Sequence, residues 1–442
     1  MTAHRTIFSL VYWGLSATVA MGAPYCTTML HGDQLERRYQ RIAPIYNTSE
    51  TGWMFGADQL DVNYAMSDHE VTLMAQIVDE FAARGARLAV LIAPPRPIVA
   101  GQEVLDATTG TPGAFDMAAH TADFNQLVAQ LDAAGAIAPN LLDMVLADRE
   151  ISATYYFHRD THWTNTGAAH SALALATALD PAPAPAFQVA DLAIAETHEE
   201  RGSLSDIARA VCDTSPPPEF SPVYDYTPFI TSDAGLLDDG AASDPAVILL
   251  GTSFSNRYRR DQYQVTDALA AALGRDVMNY SVSGGGLLGP METYILTGQL
   301  DADQPDLVIW EFPYTYEPNE TNLRQMLGAL RANRGAVVSQ HTLPLVGGQA
   351  EFLIEAAEHV APIIGITPDI PGGRNITVSV DFEDGTTERL RLRRKSRMEE
   401  VAILNDWWID LSGYAHGQPT RLHLEMPSDT EARAVTLEFR AP

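Results

Sequence analysis

Over the first three quarters of the chain, short and nearly uninterrupted apolar runs alternate with stretches in which apolar residues return every three or four positions. The uninterrupted runs fall at 88–92, 246–250 and 307–312, the pattern of strands buried on both faces. Helical periodicity occupies 70–83, 121–134, 166–178 and 262–273. This alternation predicts an α/β domain whose parallel sheet is covered on both sides. Ile137 and the apolar residues 141–144 fit either a strand or a helix. A Pro/Ala run fills 181–186 and three consecutive prolines stand within 215–220, and with those backbone donors missing both stretches read as loops.

The texture changes near Gly348. Polar and apolar residues alternate over 376–382, 389–393, 421–426 and 434–439, with Asp384-Gly385 as a hairpin turn between the first two. That pattern predicts a smaller antiparallel β-sandwich. The expected division is therefore a parallel-sheet domain over 24–340 and a sandwich over 348–442.

A chain of 442 residues with 46% hydrophobic content has material for two such cores. Its 57 acidic against 28 basic residues give a formal charge of -29, which repels nucleic acid and anionic lipid at long range and argues against either as a partner. The same excess fits adaptation to a salty medium. Arg5, the mostly apolar stretch 6–20 and small residues at Ala20, Gly22 and Ala23 read as a secretory signal over 1–23. An uncleaved amino-terminal anchor is the alternative. In an exported protein Cys26 and Cys212 are expected to form one disulfide that closes a long loop, with two free buried thiols as the alternative.

The densest polar cluster is His158-Arg159-Asp160-Thr161-His162-Trp163-Thr164-Asn165, just ahead of a helical run that Thr164 or Asn165 is suited to cap. Asp160 and His162 are two positions apart, and with some bending of the chain the carboxylate can hold the imidazole by one nitrogen and leave the other free. A metal site using His158, Asp160 and His162, or a plain helix cap, are the competing readings. A second cluster, Gly251-Thr252-Ser253, ends an apolar strand and so places a hydroxyl where open α/β sheets bind ligands. It lacks the second glycine of the Gly-x-Ser-x-Gly elbow, because Ser255 stands there. The glycines 284–286 allow close approach of backbone amides, and Gly285 is a candidate oxyanion donor, with a flexible turn as the equal alternative. No Walker phosphate loop or dinucleotide fingerprint is present. Nucleophilic catalysis by Ser253, His162 and Asp160 requires no cofactor and no metal.

Asp160-Thr161-His162-Trp163-Thr164 followed by Gly251-Thr252-Ser253-Phe254-Ser255 resembles the alginate O-acetylation proteins of the AlgX and AlgJ group. Gly52-Trp53-Met54-Phe55 and Trp310-Glu311-Phe312-Pro313 resemble two further motifs of that family, so the likeness covers roughly Cys26 to Tyr316. It implies an SGNH-hydrolase-like domain with Ser253 as nucleophile, His162 as base and Asp160 as its carboxylate. Tyr258 or Arg259 would then contact substrate. A periplasmic O-acetyltransferase is implied, fed with acetyl groups by a membrane-bound acyltransferase partner and tied to a polysaccharide-export complex. Among such proteins the AlgX type carries a carbohydrate-binding β domain, which fits the alternation beyond Gly348.

The polymer itself would be acidic. Arg389, Arg391 and Arg393 share one face of a strand opposite Leu390 and Leu392, and that stripe is a candidate polysaccharide surface. Trp407 and Trp408 are candidates for stacking on sugars, against a core role for both. A carbohydrate acetylesterase with the same triad, or a non-catalytic scaffold for polymer assembly, are the alternative functions.

Overall fold

In a computed structural model, the structure describes residues 25–48, 52–61, 63–109, 115–182, 186–230, 246–257, 259–332, 334–398, 405–427 and 430–442. The expected signal segment 1–23 lies outside them. Among the described residues, no helix is long and apolar enough to cross a membrane.

The first domain is built on four parallel strands in the order Arg87–Ala93, Leu307–Pro313, Val247–Leu250, Val277–Asn279. The first three are almost entirely buried, which is why their sequences are apolar without alternation. Helices Asp68–Ala82, Met117–Ala133, Asn165–Leu179 and Val265–Leu273 cover the sheet. Each matches an expected helix to within a few residues. The ambiguous stretch resolves into a helix, Leu141–Ala147, while Ile137 makes a lone parallel bridge to Ala89.

The second domain stacks two four-stranded antiparallel sheets. One runs Gln349–Leu353, Pro419–Glu425, Asn375–Phe382, Thr387–Arg393; the other runs Trp407–Asp410, Ile363–Pro368, Ala434–Arg440, Val337–Pro344. Ile376, Val378, Val380 and Phe382 face Val435, Leu437 and Phe439 in one core, so the period-two alternation does what it predicts. The sandwich begins earlier than expected. Val337–Pro344 already pairs with Ala434–Arg440, and it was hidden because its side chains are largely exposed on both faces.

A helix, Glu320–Arg331, lies between the two domains, packed on helix Asp68–Ala82 and on strand Trp407–Asp410. Fully buried Arg324 donates to the carbonyls of Asp410 and Ser412 at 2.8 and 3.0 Å, and Arg331 pairs with Asp410 at 2.8 Å. Buried Arg394 meets buried Glu292 at 2.9 Å while its guanidinium covers Trp407 at 4.0 Å. At the closest point Gly328 touches the backbone of Ile409, and a Cβ there would stand 2.5 Å from its nitrogen. Cys26 and Cys212 form the expected disulfide. Gly328→Ala should lower stability by about 1–3 kcal/mol through overpacking, read as a fall in the urea midpoint, whereas Arg389→Ala at the exposed Glu425 pair should change it by under about 0.5 kcal/mol.

Candidate active site

Helices Asn165–Leu179 and Val265–Leu273 pack side by side. Their leading loops, 157–164 and 251–264, therefore meet at the carboxyl end of the sheet. The first loop is closed by a bridge between Tyr156 and Trp163, and Thr164 caps its helix by accepting from the Gly167 amide at 3.1 Å. Trp163 ties the two loops together, donating from Nε1 to the Phe254 carbonyl at 3.0 Å.

Within this closure Ser253 Oγ lies 2.8 Å from His162 Nε2, and His162 Nδ1 lies 2.5 Å from Asp160 Oδ1. The bend that a pair two residues apart requires is present: the His162 amide also donates to Asp160 Oδ1, at 2.9 Å. An ionised Asp160 takes the proton on Nδ1 as its donor, which leaves the lone pair of Nε2 to receive the Ser253 hydroxyl.

Asp160 is fully buried. Burial alone would raise its carboxyl, but His162, Arg257 and the Ser203 amide outweigh it and hold it well below the usual carboxylate range. Ser203 opens the helix Ser203–Cys212 and donates to Oδ2 at 2.6 Å, so the positive end of a helix points at the charge. Gly202, with φ of 81°, lets that helix come close: a Cβ would sit 2.5 Å from the Arg159 carbonyl.

Arg257 was not singled out by the sequence, and it is the counter-ion of the site. Its Nη1 lies 3.1 Å from Asp160 and 3.1 Å from Glu200, and it also meets the Tyr263 hydroxyl. Nη1 is 3.2 Å from His162 Nδ1 as well, but both are donors, so that contact is electrostatic repulsion rather than a hydrogen bond. Glu200 ends the strand Ala193–Glu200, which pairs antiparallel with Glu219–Asp225 across a connection that contains the helix Ser203–Cys212. No apolar alternation betrays that strand, because it is mostly exposed. The expected loop 215–220 is shorter than predicted, because Glu219 and Phe220 already belong to that partner strand.

Two of the other motifs find structural roles. Buried Arg96 donates to the carbonyls of Met54 and Phe157, at 2.6 and 3.2 Å, and to that of His158. It lies over Trp53 and Phe55 at 4.8 and 5.2 Å. The Gly-Trp-Met-Phe segment is thus the platform beneath the His162 loop. His158 stacks on Trp53 at 4.4 Å, and burial pushes its imidazole down to about 4. Among the described residues, no group of three His, Cys, Asp or Glu side chains is placed to hold a metal ion. In the late motif, Glu311 receives the Thr252 amide at 2.8 Å.

Several expected roles are displaced. The Gly285 amide already donates to the Val282 carbonyl at 2.9 Å, so it is not available to an oxyanion. The glycines serve contact instead, since the stems of Arg397 and Lys395 cross Gly284 and Gly286, where a Cβ would meet them at 3.2 and 3.0 Å. Trp407 is wholly buried in the sandwich core, and Trp408 packs its ring against Gly365; neither presents a face to a sugar. Arg389, Arg391 and Arg393 are exposed as expected, with Leu390 and Leu392 buried behind them. With Lys395 they line a cleft of about 720 Å³ that reaches Gly285 and Gly286. Arg259 is exposed, in the left-handed region at φ of 65°, beside a cavity of about 610 Å³ lined also by Asn256, Tyr280 and Arg397. Tyr258 lies outside the described residues.

A serine at the end of a parallel strand, with its Asp-His pair earlier in the chain and an antiparallel sandwich after it, defines an SGNH-hydrolase-like domain joined to a β module. The chain belongs to the AlgX family: the model described as "SGNH hydrolase-like domain, acetyltransferase AlgX" matches residues 48–314. It is 27% identical over 415 residues to the alginate biosynthesis protein AlgX of Pseudomonas putida, spanning 90% of this chain and 79% of that one. It is 28% identical over 280 residues to the probable alginate O-acetylase AlgJ of Pseudomonas syringae pv. tomato, spanning 61% of this chain and 68% of that one. The solved structure of Pseudomonas aeruginosa AlgX has the same fold, with a TM-score of 0.69 over 94% of this chain and 99% of that chain at 19% identity.

Arg257→Met leaves Asp160 and Glu200 buried without their shared cation, so it should cost about 3–5 kcal/mol near neutral pH. The loss should shrink on acidification, because both carboxyls would rise from their depressed native values and take up protons. Urea unfolding of the two proteins from neutral pH down through the carboxylate range checks the sign.

Proposed function

We propose that this protein is an exported O-acetyltransferase of alginate or a related acidic polysaccharide, with Ser253 as nucleophile, His162 as general base and Asp160 as the carboxylate that orients it. The observation that carries this reading is the unbroken relay from Ser253 Oγ through His162 to buried Asp160. The family and the alginate relatives supply the choice of acyl group and polymer.

His162 Nε2 takes the Ser253 proton as Oγ attacks the acetyl carbonyl, and Asp160 stabilises the imidazolium that forms. The Ser253 amide, which has no hydrogen-bond partner among the described residues, faces the developing oxyanion. Collapse of the tetrahedral species passes the proton from His162 to the departing donor and leaves an acetyl-serine. A sugar hydroxyl then gives its proton to His162 and attacks the acetyl carbon, restoring Ser253. Water in that place would give an esterase, so a cleft that holds the sugar hydroxyl decides the outcome.

The two domains divide the work, in this reading, with 24–340 performing the transfer and the sandwich holding the polymer. Arg389, Arg391 and Arg393 offer a basic strip in a chain of net charge -29, and a local field of that sign attracts a polyanion at short range. The segment 1–23 directs export to the periplasm, where a membrane-bound acyltransferase supplies acetyl groups and an export complex carries the polymer.

Ser253→Ala should abolish covalent acetyl labelling by a small activated ester, followed by intact mass. Asp160→Asn, which puts His162 in the wrong tautomer, should slow labelling by about 10²- to 10⁴-fold. Labelling of the Ser253→Ala protein at the normal rate would defeat the assignment. Replacing Arg389, Arg391 and Arg393 together with Ala should leave labelling intact while weakening alginate oligosaccharide binding, and should flatten its dependence on salt. Unchanged affinity and unchanged salt response in calorimetric titration would remove the strip from the polymer path.

A further inference from the structure

We propose that Glu311 is the positioning residue of the nucleophile turn, gripping Thr252 and Ser255 on either side of Ser253 through its carboxylate so that the Ser253 hydroxyl and amide keep one orientation. This rests on Ser253 being the nucleophile. Glu311 sits on the central strand Leu307–Pro313, one step beyond the pairing of Trp310 with Leu250, so it stands beside the turn where the neighbouring strand leaves the sheet. It is fully buried. Its Oε2 accepts the Thr252 amide at 2.8 Å and the Ser255 hydroxyl at 2.9 Å, and its Oε1 accepts the Thr252 hydroxyl at 3.0 Å. The Thr252 oxygen, its proton committed to Glu311, accepts in turn from the Phe254 amide at 3.2 Å.

These bonds take hold of the residue before Ser253 and the two that follow it. The Thr252 carbonyl receives the amides of Ser255 and Asn256 at 3.2 and 3.0 Å. Rotation of the peptide between Thr252 and Ser253, which would swing both the amide and the hydroxyl of Ser253, would break several of them together. Gly251 completes the arrangement by having no side chain, because a Cβ there would lie 2.3 Å from Glu311 Oε2. A glutamate is the natural occupant: an ionised carboxylate only accepts, and each donor aimed at it comes from one short turn.

The charge is kept at a cost. Among the described residues no cation pairs with Glu311, and the titratable groups that act on it or face it are Asp261 and Tyr316. Burial pushes its carboxyl up to about 7, against the donors from Thr252 and Ser255 and with added push from Asp261. The native state therefore binds the Glu311 proton between the ordinary glutamate range and about pH 7, and folding stability falls as pH rises through that window. The grip strengthens over the same window, because it is the deprotonated form that accepts all three bonds. A buried, unpaired acid held against a nucleophile at the expense of stability points to activity as the reason for its presence.

The test uses the full chain with p-nitrophenyl acetate as acyl donor and an alginate oligosaccharide as acceptor. Glu311→Gln keeps the shape and removes the charge. It should slow acetylation of Ser253 by about tenfold or more, leave acceptor KM nearly unchanged, and remove from the rate profile an ionisation near pH 7. Ser255→Ala, a smaller change that removes one donor, should slow acetylation less, and adding it to Glu311→Gln should cost little more, because both changes loosen the same grip. A wild-type rate and profile in Glu311→Gln, or effects of the two changes that multiply independently, would overturn the proposal. If Glu311→Gln fails to fold, Ser255→Ala decides alone: a slower rate with a displaced ionisation supports the grip, and a wild-type profile overturns it. Infrared titration of the Glu311 carboxyl band, compared between wild type and Ser255→Ala, reads the contact without catalysis. A band that shifts on loss of the Ser255 hydroxyl supports the contact even where persistent labelling of Ser253→Ala has removed the nucleophile reading; an unmoved band overturns it.

Discussion

A carboxylate with no access to water is what the rest of this site is arranged around. Asp160 is useful to His162 only while ionised, and an ion that deep is unfavourable unless every lone pair is met. Its two oxygens are met from three directions: the imidazole and its own loop, a helix that begins at Ser203, and the guanidinium of Arg257. Each helper makes a further demand. Arg257 brings a positive charge that Glu200 must balance, and Glu200 requires the antiparallel strand pair that delivers it. The helix requires Gly202, and the loop requires Arg96 and the aromatic shelf below it.

The Ser253 side follows a different electrostatic rule. Asp160 is an anion with a cation next to it and a lowered carboxyl, whereas Glu311 is an anion met by neutral donors and a raised one. Two acids within one site are thereby separated in their affinity for protons. The one beside His162 stays charged across the working range, and the one beneath Ser253 changes state close to neutrality.

Much of this was legible in the sequence, for physical reasons that also explain what was not. Apolar runs and alternation report burial, so the parallel strands and the sandwich strands Asn375–Phe382 and Ala434–Arg440 stood out. Ala193–Glu200 and Val337–Pro344 did not, because strands exposed along both faces carry no such signal. Asp160, His162 and Ser253 are polar residues clustered at element ends, joined in the sequence only by the family resemblance, and the structure brings their side chains within hydrogen-bond distance of one another. Arg257 was lost among exposed arginines, since nothing local distinguishes a buried one; the only signal was its place four residues after Ser253. The three glycines were read as room for an oxyanion. They are room for another part of the protein, a distinction that depends on what arrives from more than a hundred residues away. Trp407 and Trp408 leave both a core and a sugar-stacking role open in the sequence, because a tryptophan that fills a core and one that stacks on a sugar look alike there, and the structure takes the core one.

The glycine saddle has a consequence for how this chain can be taken apart. Lys395 and Arg397 cross the backbone at Gly284 and Gly286 at contact distance, so the separation between the sandwich and the sheet domain is written in side chains that are missing. A sandwich transplanted from a relative would inherit the right surface only if its own crossing residues were as slender at those two points. The two halves are thus poor candidates for modular exchange, and grafting a new polymer specificity onto this scaffold would have to move the loop 283–286 together with the strand and loop that ride over it.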